Sequence, residues 1–182
     1  MRFLRNLALA LLSLVAAFLL IALFLPSHYH VWRGVVIQAA PEAVFPYLNN
    51  LKKWEQWSAW TKAKDPTLVY SYSGPEEGTN AVSQWEGKKL GQGSMTITES
   101  VSGKSVQRPS IKYDLSFDRG KNLCTSSITL EPEAGGTRVI WALDGKTGRN
   151  PVNRYFALMM DRMLGPDFEE GLRNLKRVVE GK

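Results

Sequence analysis

The chain has 182 residues, a net formal charge of +6 and one cysteine, Cys124. With Arg2 and Arg5 set aside, 21 basic residues face 17 acidic ones, and the basic residues are scattered in pairs such as Lys52-Lys53 and Lys88-Lys89 rather than drawn into the dense stripe of a nucleic-acid binder. A lone cysteine excludes an internal disulfide, and in its strand-like setting Cys124 reads as a small buried hydrophobe.

The chain opens with Arg2 and Arg5 and then an uncharged run from Leu7 to Leu25. Those 19 residues, as a helix, span about 28 Å, close to the thickness of a bilayer's hydrocarbon core. The run is longer than a secretory h-region, and Phe24-Leu25-Pro26-Ser27-His28 offers no small-x-small cleavage site. The expectation is therefore an uncleaved signal anchor over residues 1–29, ahead of one domain over residues 30–182. Both arginines precede the helix, so the positive-inside rule leaves the N-terminus in the cytoplasm. The domain of this single-pass protein is then expected on the periplasmic or extracellular side of the cell (inner) membrane. His28 and His30 are the only histidines, and with no cysteine near them they do not make up a metal set.

Val31 to Gln38 is a β-branched run, read as the first strand. Pro41 then starts a short helix buried through Val44, Phe45 and Leu48, with Pro46 able to bend it. Asn49-Asn50 ends it, and a second helical piece runs from Leu51 to about Trp57, with Trp54, Trp57 and Trp60 spaced along one side. Strands are expected at 68–73, 80–86, 94–101, 110–118, 123–131 and 137–144. Between them lie turns at Gly74–Gly78, Arg119–Asn122 and Glu133–Gly136, and a loop at Gly87–Gly93. The clearest strand places Ile111, Tyr113, Leu115 and Phe117 on one face and Lys112, Asp114 and Ser116 on the other, the pattern of a sheet with one wet side. Short loops between successive strands indicate an antiparallel meander.

Asn150-Pro151 then caps a long helix whose apolar residues Val152, Tyr155, Phe156, Met159, Met160, Met163 and Leu164 follow a helical period. It is expected to kink or break at Gly165-Pro166, resume through Phe168, Leu172, Leu175, Val178 and Val179, and end near Gly181. The fold class is α+β: a curved antiparallel sheet of six to seven strands gripping this helix, with two short helices after the first strand. A sheet curled around one helix leaves a gap between the two, and that gap is the expected pocket.

Several stretches carry a resemblance. They are Val35–Ala39 leading into Ala40-Pro41-Glu42-Ala43-Val44-Phe45, then Trp54–Trp60, Asp65-Pro66, Gly74-Pro75 through Gly78, and Trp85-Glu86-Gly87. Further on are Gly136–Val139, Trp141, Asn150-Pro151, Arg154-Tyr155-Phe156, Met159-Met160-Asp161, Gly165–Phe168 and Gly171-Leu172. Over about residues 31–180 the chain resembles the START-like helix-grip superfamily (SRPBCC), in its polyketide cyclase/dehydrase and lipid-transport branch. The resemblance implies a hydrophobic cavity between the sheet and the long helix, and it does not by itself choose among carriers, cyclases and receptors.

Beyond residue 30 there is no histidine, so no Ser-His-Asp or Cys-His arrangement can form in the domain, and no P-loop or paired-cysteine motif is present. Glu86, Asp144 and Asp161 are the weak acid/base candidates, and the plainer reading makes each a solvated end or an ion-pair partner. The expected ligand-binding residues are Trp57, Trp60, Tyr72, Trp85, Tyr113, Phe117, Trp141, Tyr155, Met159, Met160 and Met163, for which ordinary core packing is the competing account. No cofactor and no metal are expected. The leading expectation is a membrane-anchored binding protein for a hydrophobic or amphipathic small molecule, lipid-like or polyketide-like. The alternatives are a cyclase/dehydratase-type enzyme with a cavity carboxylate and an assembly module whose core is filled by its own side chains.

Overall fold

The structure is a computed structural model that describes residues 2–103, 106–117, 122–148 and 150–181. The chain opens with α1 (Arg2–Phe24), whose side chains are almost all exposed. It is long and apolar enough to cross a membrane, as an anchor or a signal sequence would be. Only Leu25, Pro26 and Ser27 separate it from β1 (His28–Ile37). That strand starts earlier than expected because His28, Tyr29 and His30 pair with Lys146, Gly145 and Asp144.

After β1 come α2 (Pro41–Asn49) and a 3₁₀ turn (Leu51–Gln56). Proline in the first turn of α2 forfeits no hydrogen bond, and Pro46 is carried inside the same helix. The helix ends on the two tryptophans that follow it. Trp54 Nε1 donates to the Leu48 carbonyl at 2.9 Å and Trp57 Nε1 to the Tyr47 carbonyl at 3.0 Å, satisfying acceptors that a helix C-terminus leaves open. Asn50 is buried and takes the Lys52 N–H at 3.0 Å.

Six strands then run as a meander: β2 (Val69–Ser73), β3 (Val82–Gly87), β4 (Gly91–Val101), β5 (Ser110–Phe117), β6 (Asn122–Glu133) and β7 (Gly136–Lys146). The single sheet is ordered β1-β7-β6-β5-β4-β3-β2 and every pairing is antiparallel. A register shift between Ile97 and Glu99 bulges β4. The expected loop at 87–93 shrinks to Lys88–Leu90, because Gly87 ends β3 and pairs with Gly91 at the start of β4. Of the expected turn at 119–122, residues 119–121 lie outside the described residues.

The C-terminal segment forms α3 (Pro151–Ala157) and α4 (Met160–Glu180). The interruption falls at Leu158-Met159, where the chain tightens through a Met159 N–H to Phe156 carbonyl bond of 2.9 Å, and not at Gly165-Pro166 as the sequence suggested. Gly165-Pro166 has another use. A Cβ on Gly165 would overlap the Arg33 guanidinium, which crosses α4 at that position. It bonds Asp161 at 2.8 Å and Glu169 at 2.7 Å, one turn to either side.

α4 packs closely on the sheet at its centre. Phe168 stacks on Trp141 with centroids 4.1 Å apart and planes 6° from parallel, and Gly171 brings α4 close to Trp57 and Trp141. Trp54, Trp57 and Trp60 meet Trp141 edge-on at 5.8, 5.4 and 6.0 Å, so this aromatic block is the centre of the core.

Candidate ligand-binding cavity

The sheet is closed by α4 along only part of its width. Over β2 to β5 its inner face is covered by the 3₁₀ turn and the segment after it, and the cover is incomplete. A cavity of about 100 Å³ remains there. With the solvent-connected mouth the empty space is about 690 Å³. Alternation along the strands supplies the wall: Tyr70 and Tyr72 from β2, Ser83 and Trp85 from β3, Met95 from β4, and Tyr113, Leu115 and Phe117 from β5. Leu51, Trp54, Glu55, Ser58 and Trp60 form the roof, and Leu90 closes one side.

The register brings these groups together. Tyr70 faces Trp85, Tyr72 faces Ser83 and Met95 faces Leu115 across the ladder. Trp85 lies over its partner Gly93, where a Cβ would overlap the indole and stand 2.7 Å from the Ser116 carbonyl oxygen. The indole then meets Phe117 edge-on at 5.5 Å.

The tyrosine hydroxyls of the wall are already occupied. Tyr70 donates to the Trp60 carbonyl at 2.7 Å, and Tyr72 donates to Glu55 Oε1 at 2.6 Å. The Tyr113 hydroxyl joins Trp141 Nε1 at 2.7 Å and Ser126 Oγ at 2.8 Å, while Ser126 also reaches the Ala142 carbonyl at 2.7 Å. Burial pushes the Tyr70 phenol up to about 12, with the Glu55 charge adding to it. Burial, then the hydrogen bond to Glu55, raises Tyr72 further. Tyr113 is raised by burial against the opposing effect of its two hydrogen bonds. Near neutral pH the interior therefore holds neutral phenols. Glu55, on the exposed side of the 3₁₀ turn, is the one carboxylate among the described lining residues.

Asp65 sets the side wall from outside the cavity. Its buried carboxylate accepts from Thr67 Oγ1 at 2.6 Å, Thr67 N at 3.0 Å, Lys89 N at 2.7 Å and Leu90 N at 3.0 Å. The Thr67 hydroxyl first, then the backbone N–H groups, hold it well below the usual carboxylate range against the cost of burial. Asp65 thus clamps the β3–β4 loop and places Leu90 at the cavity.

Of the residues expected to bind ligand, the structure gathers Trp60, Tyr72, Trp85, Tyr113 and Phe117 around this space. Trp57 and Trp141 are fully buried in the core behind it. Tyr155, Met159, Met160 and Met163 lie elsewhere: Tyr155 stacks on Phe18 of α1 at 4.2 Å, Met160 packs against the core, and Met159 and Met163 are exposed. The cavity is accordingly between the sheet and the 3₁₀ segment, not between the sheet and the C-terminal helix, because Phe168 and Trp141 already fill that space.

Glu86, Asp144 and Asp161 are all exposed and outside the cavity. Glu86 follows inward-facing Trp85 and so points outward, Asp144 bonds His30 Nδ1 at 2.7 Å, and Asp161 pairs with Arg33. Among the described residues no group of three or more His, Cys, Asp or Glu side chains gathers to hold a metal. Cys124 is buried, and burial pushes its thiol up to about 11. Sequence reasoning missed Tyr70, Ser83, Leu90, Met95, Leu115 and the roof residues Leu51, Trp54, Glu55 and Ser58. Strand alternation could have found Ser83, Met95 and Leu115.

Residues 29–180 match the profile of a protein family described as polyketide cyclase / dehydrase and lipid transport. Among solved structures, a hypothetical protein from Helicobacter pylori superposes with a TM-score of 0.61 at 8% identity, over 82% of this chain and 87% of that one. A protein from Chromobacterium violaceum gives 0.53 at 17% identity, over 83% and 96%. An AHSA1 protein from Silicibacter pomeroyi gives 0.52 at 16% identity, over 83% and 97%. At these identities the likeness is one of fold. No curated protein sequence matches the chain.

Proposed function

We propose that this chain, which belongs to the polyketide cyclase / dehydrase and lipid transport family, is a membrane-anchored binding protein that takes the apolar part of a small amphipathic molecule into the cavity over β2–β5. The observation that carries this reading is the state of the cavity's polar groups. The wall tyrosines are neutral and paired with the protein, so apart from Ser83 and the Trp85 indole N–H what the interior offers a ligand is apolar surface. Apolar cavities on the order of 150 Å³ hold a single ring such as benzene. The pocket therefore suits one ring or a few methylenes, with the polar end of the molecule at the mouth beside Glu55 and Tyr72.

The anchor is retained in this reading. Arg154 Nη1 donates to carbonyls at the end of α1 and just past it, at 2.7 Å to Leu23, 3.3 Å to Ala22 and 3.3 Å to Leu25, and Tyr155 donates to the Phe18 carbonyl at 2.7 Å. A leader destined for removal would have no use for such contacts. With Arg2 and Arg5 ahead of the span, the N-terminus lies in the cytoplasm and the domain on the periplasmic or extracellular side. An enzymatic reading would have to draw its acid and base from the Glu55–Tyr72 pair.

The test is native mass spectrometry of the full chain released from detergent, followed by organic extraction, with the Ser83→Leu variant as the filled-cavity control. A discrete hydrophobic adduct that Ser83→Leu abolishes while still folding supports the proposal. No adduct, and no uptake of added short-chain fatty acids or single-ring aromatics, would overturn it.

A further inference from the structure

α3 carries an apolar surface that the domain leaves uncovered. Val152, Phe156, Leu158, Met159 and Met163 are all exposed, and Phe24 at the end of α1 is 89% exposed. These residues do not face the core or the cavity, and none is spoken for by the proposed binding site.

Where α3 sits decides what covers them. The Tyr155 ring stacks on Phe18, six residues before the end of α1, which places it about 9 Å below the top of that helix. As a 23-residue helix α1 is about 34 Å long, slightly more than a bilayer's hydrocarbon core, so its final turns lie in the outer leaflet and its headgroup boundary. α3 runs beside those turns. The domain also cannot lift away, because the link Leu25-Pro26-Ser27 leads directly into β1 and Thr147 N–H holds the Ser27 carbonyl at 2.9 Å.

We infer that α3 and the first turn of α4 form an interfacial foot that lies in the same bilayer α1 crosses, with Phe156, Leu158, Met159 and Met163 inserted at the acyl–headgroup boundary. This rests on the anchor reading above and goes beyond it: the span supplies attachment, and the foot fixes how the domain is turned on the membrane. The chemistry fits an interface. The exposed side chains are flexible thioethers, an aromatic and branched aliphatics. Arg162 stands exposed next to Met163, a cation free to meet lipid phosphates, and the neighbouring Asp161 is paired with Arg33.

The test uses the full chain, in a Cys124→Ala background, reconstituted into vesicles of phosphatidylethanolamine and phosphatidylglycerol. An environment-sensitive fluorophore is attached at Met159→Cys or, as a control, at Val69→Cys on exposed β2. Lipids carrying a nitroxide near the headgroup should quench the label at 159 at least about twofold more than the label at 69. If the chain floats with the vesicles but the two positions are quenched alike, the foot is overturned and the anchor stands. A blue-shifted label at 159 that no lipid quencher reaches would mean a second copy covers the patch, and would also overturn it. A chain that does not float with vesicles removes the anchor and the foot together.

Discussion

Phe168→Ala asks whether α4 is core or pocket wall. Phe168 is fully buried, flat on Trp141 at 4.1 Å and edge-on to Trp60 at 6.3 Å. Returning its ring to water forfeits about 2.5 kcal/mol of transfer free energy. The void left behind, if it relaxes only partly, adds about 2 kcal/mol at roughly 24 cal/mol per Å³. Losing the stacked partner removes about another 0.5 kcal/mol or more, which puts the total at the upper end of the usual range, near 5 kcal/mol. For a domain of about 150 residues that corresponds to a fall in Tm of roughly 10–20 °C. Near-ultraviolet circular dichroism of the coupled tryptophans follows the unfolding. Affinity for a bound hydrophobe should stay within about threefold, because α4 lends no side chain to the cavity. A stability loss below about 2 kcal/mol would refute the close seating of α4 on the sheet. A large drop in affinity in a folded variant would return α4 to the pocket.

Asp65→Asn probes the clamp on the β3–β4 loop. Its carboxyl is depressed below the ordinary 3.8, so its contribution is complete above that pH and is lost as pH falls toward the lower folded value. Wild type should therefore lose stability more steeply than the variant in acid denaturation below about pH 4, and parallel curves would rule the clamp out. The tyrosines act at the other end of the scale. A raised phenol pKa stabilises the fold below the unfolded value of about 10 and ceases to do so as pH climbs through the folded one. Tyrosinate absorbance should show Tyr70 holding its proton to about pH 12 while the fold persists, and early ionisation in Tyr70-only spectra, obtained by difference against Tyr70→Phe, would contradict its burial. Gly93→Ala should displace the Trp85 indole and cost about 1–3 kcal/mol by urea denaturation, with weaker ligand binding. Unchanged stability and affinity would mean that Trp85 does not depend on the open glycine.

The sheet was legible because its inner positions alternate. Ile111, Tyr113 and Leu115 are buried while Lys112 and Asp114 are exposed, as a period of two requires. The same rule carries Trp85 and Phe117 to the cavity. The C-terminal stripe was misread because its helical period is shared by two helices with different neighbours. Met159 and Met163 continue the pattern of Phe168 and Leu172 in sequence, yet the interruption at Leu158-Met159 turns α3 toward α1, and within α4 Met163 stays exposed while Phe168 and Leu172 are buried. Periodicity reports that a face is apolar and not what it meets. Gly165-Pro166 read as a breaker for a related reason: the bare Cα accommodates Arg33, a residue far away in the chain, and no local rule contains that contact. Asp65 was hidden because the hydrogen bonds from Lys89 and Leu90 depend on the β3–β4 loop folding back onto it.

The sheet order has a consequence for how ligand arrives. α1 runs into β1, at one edge, while the cavity is built on β2 to β5, on the far side of β7 and β6. At about 4.8 Å per strand, β3 lies five steps or roughly 24 Å from β1 along the sheet. A cavity so placed does not open beside the end of α1. In the proposed anchored arrangement, α1 would set the height and facing of the pocket, and the two halves of the sheet divide the work. The β1 half, filled by Trp141, Phe168 and α4, supplies stability and attachment. The β2 half, roofed by the short 3₁₀ segment and a loop clamped by Asp65, keeps the free volume. A ligand that exchanges by moving Leu90 and the 3₁₀ roof leaves the aromatic block untouched, so the pocket can open without loosening the part of the domain that is joined to α1.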